Sequence, residues 1–121
     1  MSKFKELLVF QIAFEQATEI FKISQKFPRE ETYSLPDQIR RSSRSVCANI
    51  AESYRKRKYP LHFISKLTDA DAENSETEVW LDFALAHSYI DEKTIIECRN
   101  RNDKIGRLLG SMINHPEKYI F

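Results

Sequence analysis

Residues 38–59 read QIRRSSRSVCANIAESYRKRKY, and two patterns run through them together. Ile39, Val46, Cys47, Ile50 and Tyr54 recur at helical spacing and project toward a core. At roughly 100° per residue, Arg40, Arg41, Arg44, Arg55 and Lys58 cluster on a flank displaced from that core. Ala48 and Ala51 lie on or beside the same flank, where small side chains let another backbone or a phosphate come close. The stretch therefore predicts a long amphipathic helix with a basic side.

Punctuation on either side sets the number of helices. Phe27-Pro28 ends a first helical stretch, because a residue before proline is pushed out of the α region. Ser34 followed by Leu35-Pro36-Asp37 opens the second, with a proline suited to a first turn. Tyr59-Pro60 separates the second from the third, and Ile90-Asp91 caps a fourth that runs to His115-Pro116. The whole chain holds only two glycines and four prolines, too few for the many turns of a β-rich fold. The expectation is all-α: one domain over residues 1–121, folded as an antiparallel up-down-up-down four-helix bundle.

The net charge of +1 excludes a general polycation, so any grip on nucleic acid must come from local segregation of charge. Cys47 and Cys98 stand far apart with no CxxC or Cys/His spacing, which fits buried thiols in a reducing compartment. The opening MSKFKELLVFQIAFEQ carries charge inside its apolar run, so it reads as neither signal peptide nor membrane span. The expected location is the cytoplasm, with no membrane partner.

Two helices are more apolar than a four-helix monomer needs. In the first, Phe4, Leu7, Leu8, Phe14, Ala17 and Phe21 share one face, while Val9, Ile12, Ile20, Ile23 and Phe27 share another. In the third, Phe63, Leu67, Ala70, Leu81 and Leu85 form one stripe, and Ala72, Val79, Trp80 and Phe83 point roughly the opposite way. Two sticky faces on one helix imply burial against another subunit. Trp80 and Phe83 are the expected contacts of a homo-oligomer. The simpler alternative is that they broaden the core.

The sequence carries no catalytic or metal-binding pattern of the common kinds. The residues three before His62, His87 and His115 are Tyr59, Ala84 and Met112, so no Glu-x-x-His pair of a di-iron bundle exists. No HExxH, Walker loop or GxSxG is present. His87 lies one turn before Asp91 and is expected to make a helix-end contact there. The expectation is no enzyme, no cofactor and no metal. Asp69, Glu73 and Glu76 fall on one side of the third helix and read as acceptors for arginines on the second.

The basic stripe then divides. Arg40, Arg41 and Arg44 sit deep in a helix and are expected to form a structural salt-bridge network with Glu73 and Glu76. Arg55, Lys56, Arg57 and Lys58 crowd a helix end, where adjacent cations repel unless an anion joins them. These four are the candidate nucleic-acid contacts, although a basic helix terminus also complements the helix dipole. Tyr54 and Tyr59 flank the cluster and could stack on unpaired bases, or pack against the core.

The stretch QIRRSSRSVCANIAES resembles the signature of the four-helix-bundle family encoded in intervening sequences of bacterial 23S rRNA genes. Gln38, Ile39, Arg40, Arg41, Ala48, Asn49, Ile50, Ala51 and Glu52 match it, while Ser53 replaces a glycine. Phe27-Pro28 and Glu76-Thr77 before Trp80-Leu81 also fit, and acidic residues around Asp69 depart from the usual small ones. The resemblance implies a bundle that assembles as a homopentamer. It also implies kinship with the accessory variability protein of diversity-generating retroelements, which binds nucleic acid and a reverse transcriptase through basic surfaces. The leading expectation is a non-enzymatic oligomer that binds RNA, DNA or a nucleoprotein. The alternative is a protein–protein adaptor whose arginine stripe is used in intersubunit salt bridges.

Overall fold

A computed structural model of the chain describes residues 3–119. It is all-helical: α1 (Leu8–Ser24), α2 (Leu35–Arg55), α3 (Pro60–Ala86) and α4 (Glu92–Asn114), with 3₁₀ turns at Lys3–Glu6, Arg29–Glu31 and Pro116–Lys118. No strand occurs among the described residues.

The boundaries follow local chemistry. Ser34, Tyr59 and Asp91 are the N-cap residues of α2, α3 and α4. The Asp91 side chain accepts the Thr94 backbone N–H at 2.8 Å, satisfying one of the donors that a first turn leaves unpaired. That bond also holds the Asp91 carboxyl below its ordinary range. α1 stops at Ser24, three residues before the expected end. The chain continues as a turn in which the Phe27 N–H reaches the Ser24 carbonyl at 3.2 Å. The turn carries Phe27 into the core beside Leu35 and Ala84.

α3 ends without a glycine. Ser88 takes φ 63°, in the left-handed region, with its N–H on the Leu85 carbonyl (3.0 Å) and the Tyr89 N–H on the Ala84 carbonyl (2.8 Å). Those two bonds are the Schellman pattern, built here on serine.

Core layers establish the up-down-up-down order. One apolar cluster joins Val9, Ile12 and Ala13 of α1 to Val46 and Ile50 of α2, Phe63, Leu67 and Ala70 of α3, and Ile105, Leu109 and Met112 of α4. At the other end, Ile20, Ile39, Leu81, Ile95 and Cys98 meet. The start of α1 thus lies with the end of α2, the start of α3 and the end of α4, which is the antiparallel arrangement.

Between the two clusters lies a buried polar layer that the sequence reading did not anticipate. Gln16 Nε2 donates to the Cys98 carbonyl (2.8 Å) and to Asn102 Oδ1 (3.3 Å). Asn74 and Asn102 each donate to the other's backbone carbonyl, and Ser42 meets Thr77 at 2.8 Å. Arg101 Nε donates to Gln16 Oε1 at 2.7 Å, so the layer is anchored from its edge by a cation. Each buried amide thereby finds partners in a setting where an unmet group is costly.

Both doubly apolar helices turn one stripe inward and leave the other outside. Val9, Ile12 and Ile20 are buried, while Leu8, Phe14 and Phe21 are exposed, Phe14 by 58%. On α3, Phe63, Leu67, Ala70 and Leu81 are buried, and Val79 and Phe83 are exposed, Phe83 by 46%. Trp80 is half-buried and packs on the cluster around Ile20 and Leu81.

Candidate functional site

The outward faces of α1 and α2 form an apolar groove of about 630 Å³. Phe4, Phe10, Phe14 and Phe21 supply the large side chains, while Ala17, Cys47, Ala48 and Ala51 leave room for it; Lys5 and Arg44 also line it. A polar cleft of about 690 Å³ continues from it through Phe21, Arg44 and Ala48 to Asp37, Gln38, Arg40 and Arg41. Burial pushes the Cys47 thiol up to about 11, so this groove residue is a poor nucleophile at neutral pH.

Several residues that match the signature therefore sit on the surface rather than in the core. Gln38, Arg41 and Ala48 are exposed in the cleft, whereas Ile39 and Ile50 are buried. Glu52 pairs with Lys66 at 2.8 Å and ties α2 to α3. Ser53 is fully buried and its Oγ donates to the Ile50 carbonyl at 2.7 Å. α2 runs on past it to Arg55, so serine in place of glycine leaves the helix end regular.

Of the expected network of Arg40, Arg41 and Arg44 with Glu73 and Glu76, the Arg41 part forms and the Arg40 and Arg44 parts are corrected. Of these three arginines only Arg41 approaches a carboxylate among the described residues, with Nη2 3.6 Å from Glu76 Oε1 at an exposed position. Arg40 instead donates from Nε to Ser24 Oγ at 2.7 Å, and its guanidinium lies 4.9 Å from the Phe21 ring centre. Arg44 is exposed and 5.7 Å from the same ring. The physical reason is the facing of α2: these two arginines lean toward α1, whose nearest face offers an aromatic ring rather than acids.

On α3, Glu76 Oε1 also accepts the Trp80 indole N–H at 3.2 Å. Glu73 Oε2 is shielded from solvent and has no hydrogen-bond partner among the described residues. Desolvation, then the charge of Glu76, raise the Glu73 carboxyl above its ordinary range against the opposing pull of Arg41. Beyond Trp80, an aromatic file runs outward: Trp80 to Phe83 (6.0 Å), Phe83 to His87 (5.9 Å) and His87 to Tyr89 (5.8 Å). His87 is thus a stacking partner, while the Asp91 carboxylate caps α4. Glu78 and Asp82 are exposed beside Val79 and Phe83, giving this ridge an acidic border.

The turn between α2 and α3 brings Arg55, Lys56, Arg57 and Lys58 together, as the sequence predicts. Arg55, Lys56 and Lys58 are exposed, with no carboxylate at ion-pair distance among the described residues. Arg57 is half-buried: its guanidinium lies 3.6 Å over the Tyr54 ring and its Nε donates to the Tyr54 carbonyl at 2.8 Å. Elsewhere, Arg99 pairs with Asp82 at 2.9 Å, and Arg101 serves the polar layer.

Among the described residues, no group of three or more His, Cys, Asp or Glu side chains could hold a metal ion. No helix of the described residues is long and apolar enough to cross a membrane.

Comparison with known proteins agrees with this architecture. The fold matches the crystal structure of a protein of unknown function from the S23 ribosomal protein family of Bacteroides thetaiotaomicron. The two share 30% identity with a TM-score of 0.80, over 88% of this chain and 98% of the other. A search of the curated proteins finds no match. A family profile described as 23S rRNA-intervening sequence protein matches residues 5–111, a span holding all four helices but the last turn of α4. On that match the chain belongs to the 23S rRNA-intervening sequence protein family.

Proposed function

We propose that this chain is a non-enzymatic, self-associating bundle of the cytoplasm that holds nucleic acid, RNA or DNA, by its phosphates at the α2–α3 turn. The observation that carries this reading is the exposure of Arg55, Lys56 and Lys58 on one connection without a carboxylate partner among the described residues. Adjacent unpaired cations repel one another, and an anionic backbone relieves that repulsion while releasing its own counterions.

Self-association is supported by two complementary surfaces. The groove of α1 and α2 is apolar and carries Arg40, Arg41 and Arg44 at its end, while the Val79–Phe83 ridge of α3 is apolar with Glu76, Glu78 and Asp82 beside it. A groove on one copy that takes a ridge on the next is a head-to-tail contact, the kind that closes into rings. A homopentamer is the closure that the signature favours, and kinship with the accessory variability protein of retroelements is part of the same proposal. A ring repeats the cationic turn around one rim and converts weak single grips into avidity.

The second reading is a protein–protein adaptor whose arginine stripe is used in intersubunit salt bridges, favoured by the exposure of Arg41 and Arg44 beside the apolar groove. Titration of RNA and DNA at two salt concentrations separates the two. Binding should weaken steeply with salt, and joint replacement of Arg55, Lys56 and Lys58 by glutamine should flatten the log–log salt slope by about 2 per chain. Absence of binding at low salt would leave the adaptor reading in its place.

A further inference from the structure

We propose that the nucleic acid taken at the α2–α3 turn is single-stranded, with an unpaired base lying on the ring pair of Tyr59 and His62. The inference rests on the reading of the turn as a phosphate site and adds the class of strand it takes.

Two tyrosines flank the cations, and the structure treats them differently. Tyr54 is occupied, with the Arg57 guanidinium 3.6 Å from its ring centre. Tyr59 is 60% exposed, and the next apolar residue, Leu61, is 83% exposed. Neither contributes to the core, so folding alone does not explain a tyrosine and a leucine here. The Tyr59 and His62 rings meet at 86° with centroids 6.0 Å apart. In an edge-to-face pair one ring keeps both faces uncovered and the other keeps one, so flat surface remains for a third ring.

The backbone holds this platform in place. The Tyr59 N–H donates to the Lys56 carbonyl at 2.9 Å, and the Tyr59 carbonyl accepts the Phe63 N–H at 2.9 Å. Tyr59 also precedes Pro60, which restricts it to the extended conformation it takes, φ −121° and ψ 90°. With the backbone under the ring fixed beforehand, less freedom is lost when a base settles on it.

The chemistry then selects the strand. A duplex hides the faces of its bases within the stack and offers a protein only edges and phosphates. An exposed aromatic beside three exposed cations gains nothing from such a partner. A single strand presents phosphates to the cations and a base face to the ring, and the stacking term is indifferent to sequence. An anionic lipid surface would also accept lysines beside a leucine and a tyrosine, and it forms one arm of the test.

The test measures the anisotropy of labelled oligouridine, oligothymidine and a blunt RNA duplex of equal length, alongside sedimentation with phosphatidylserine vesicles. The wild-type protein should bind the single strands about ten-fold more tightly than the duplex. Tyr59→Leu, which keeps apolar bulk but removes the flat ring, should lower single-strand affinity about ten-fold and leave duplex affinity unchanged. Tyr59→Trp should restore it. Should Tyr59→Leu melt early, His62→Ala reads the same loss. Equal binding of duplex and single strands, unmoved by Tyr59→Leu or His62→Ala, overturns the inference and leaves the phosphate site standing. Binding of vesicles with no binding of any oligonucleotide at low salt overturns both.

Discussion

Asn74 and Asn102 exchange hydrogen bonds across the α3–α4 interface, each side-chain amide donating to the other residue's backbone carbonyl, at 3.0 and 3.1 Å. Both residues are buried. Asn102 also accepts from Gln16, so it serves three helices at once. Asn102→Ala should cost roughly 2–4 kcal/mol, combining lost bonds of about 1 kcal/mol each with unmet groups on Gln16 and Asn74. Each bond ends on a backbone carbonyl that alanine keeps, so the double change with Asn74→Ala should cost about the sum of the two singles. Urea denaturation of the four proteins checks this, and a negligible cost of either single change would count against the exchange.

Ser88 pays a steric penalty for its left-handed backbone that glycine avoids. Ser88→Gly should therefore stabilise the protein by about 1 kcal/mol, reduced somewhat by the greater freedom of glycine in the unfolded chain. Thermal melts should show the rise, and an unchanged or lower melting temperature would contradict the turn geometry.

Glu73 gives a pH-dependent expectation. Burial, then the nearby charge of Glu76, raise its carboxyl above the ordinary range, so the folded state keeps the proton to higher pH than the unfolded chain does. The carboxylate thus reduces stability above that window, and the penalty disappears below the ordinary glutamate range. Glu73→Gln should stabilise at neutral pH by no more than about 1 kcal/mol, since the site is partly screened. The advantage over wild type should vanish in acid. A loss of stability at neutral pH would mean that the charge is needed, by a partner cation or by Arg41.

The exposed faces predict assembly without dependence of the monomer fold. Arg44 contacts an aromatic ring at an exposed site, so Arg44→Ala should cost less than about 1 kcal/mol in the isolated chain. Phe14→Glu and Phe83→Glu place charge in the groove and on the ridge respectively. Each should shift the light-scattering mass toward the monomer while circular dichroism stays helical. A wild-type monomer at micromolar concentration would remove the basis for a ring.

Much of the fold was legible because its punctuation is chemical. Pro28, Pro36, Pro60, Asp91 and Pro116 mark connections for reasons local to the backbone, and the helices begin and end near them. The two apolar stripes on α1 and α3 were legible too, since periodicity alone assigns Phe14 and Val9 to different faces. The partners of Arg40 and Arg44 were not. Periodicity gives the direction of a side chain around its own helix but not which neighbour stands there, and here it was Phe21 of α1 rather than the acids of α3. The polar layer had a signal that went unread: Gln16, Asn74 and Asn102 occupy positions where the apolar period calls for core residues. Which tyrosine was available beside the cations depended on Arg57 folding back over Tyr54, a contact that spacing does not specify.

That polar layer also bears on the structures the chain does not adopt. Slipping α1, α3 or α4 by a turn would carry Gln16, Asn74 or Asn102 into the aliphatic clusters on either side and strand their amides against leucine and isoleucine. Exchanging the places of α2 and α3 would separate the paired asparagines in the same way. Aliphatic contacts tolerate many alignments, whereas paired amides accept one, so three side chains at mid-height act as a combination lock on helix order. The apolar residues above and below are then free to drift in size without loosening the alignment, and the two ends of the bundle can acquire different surfaces independently.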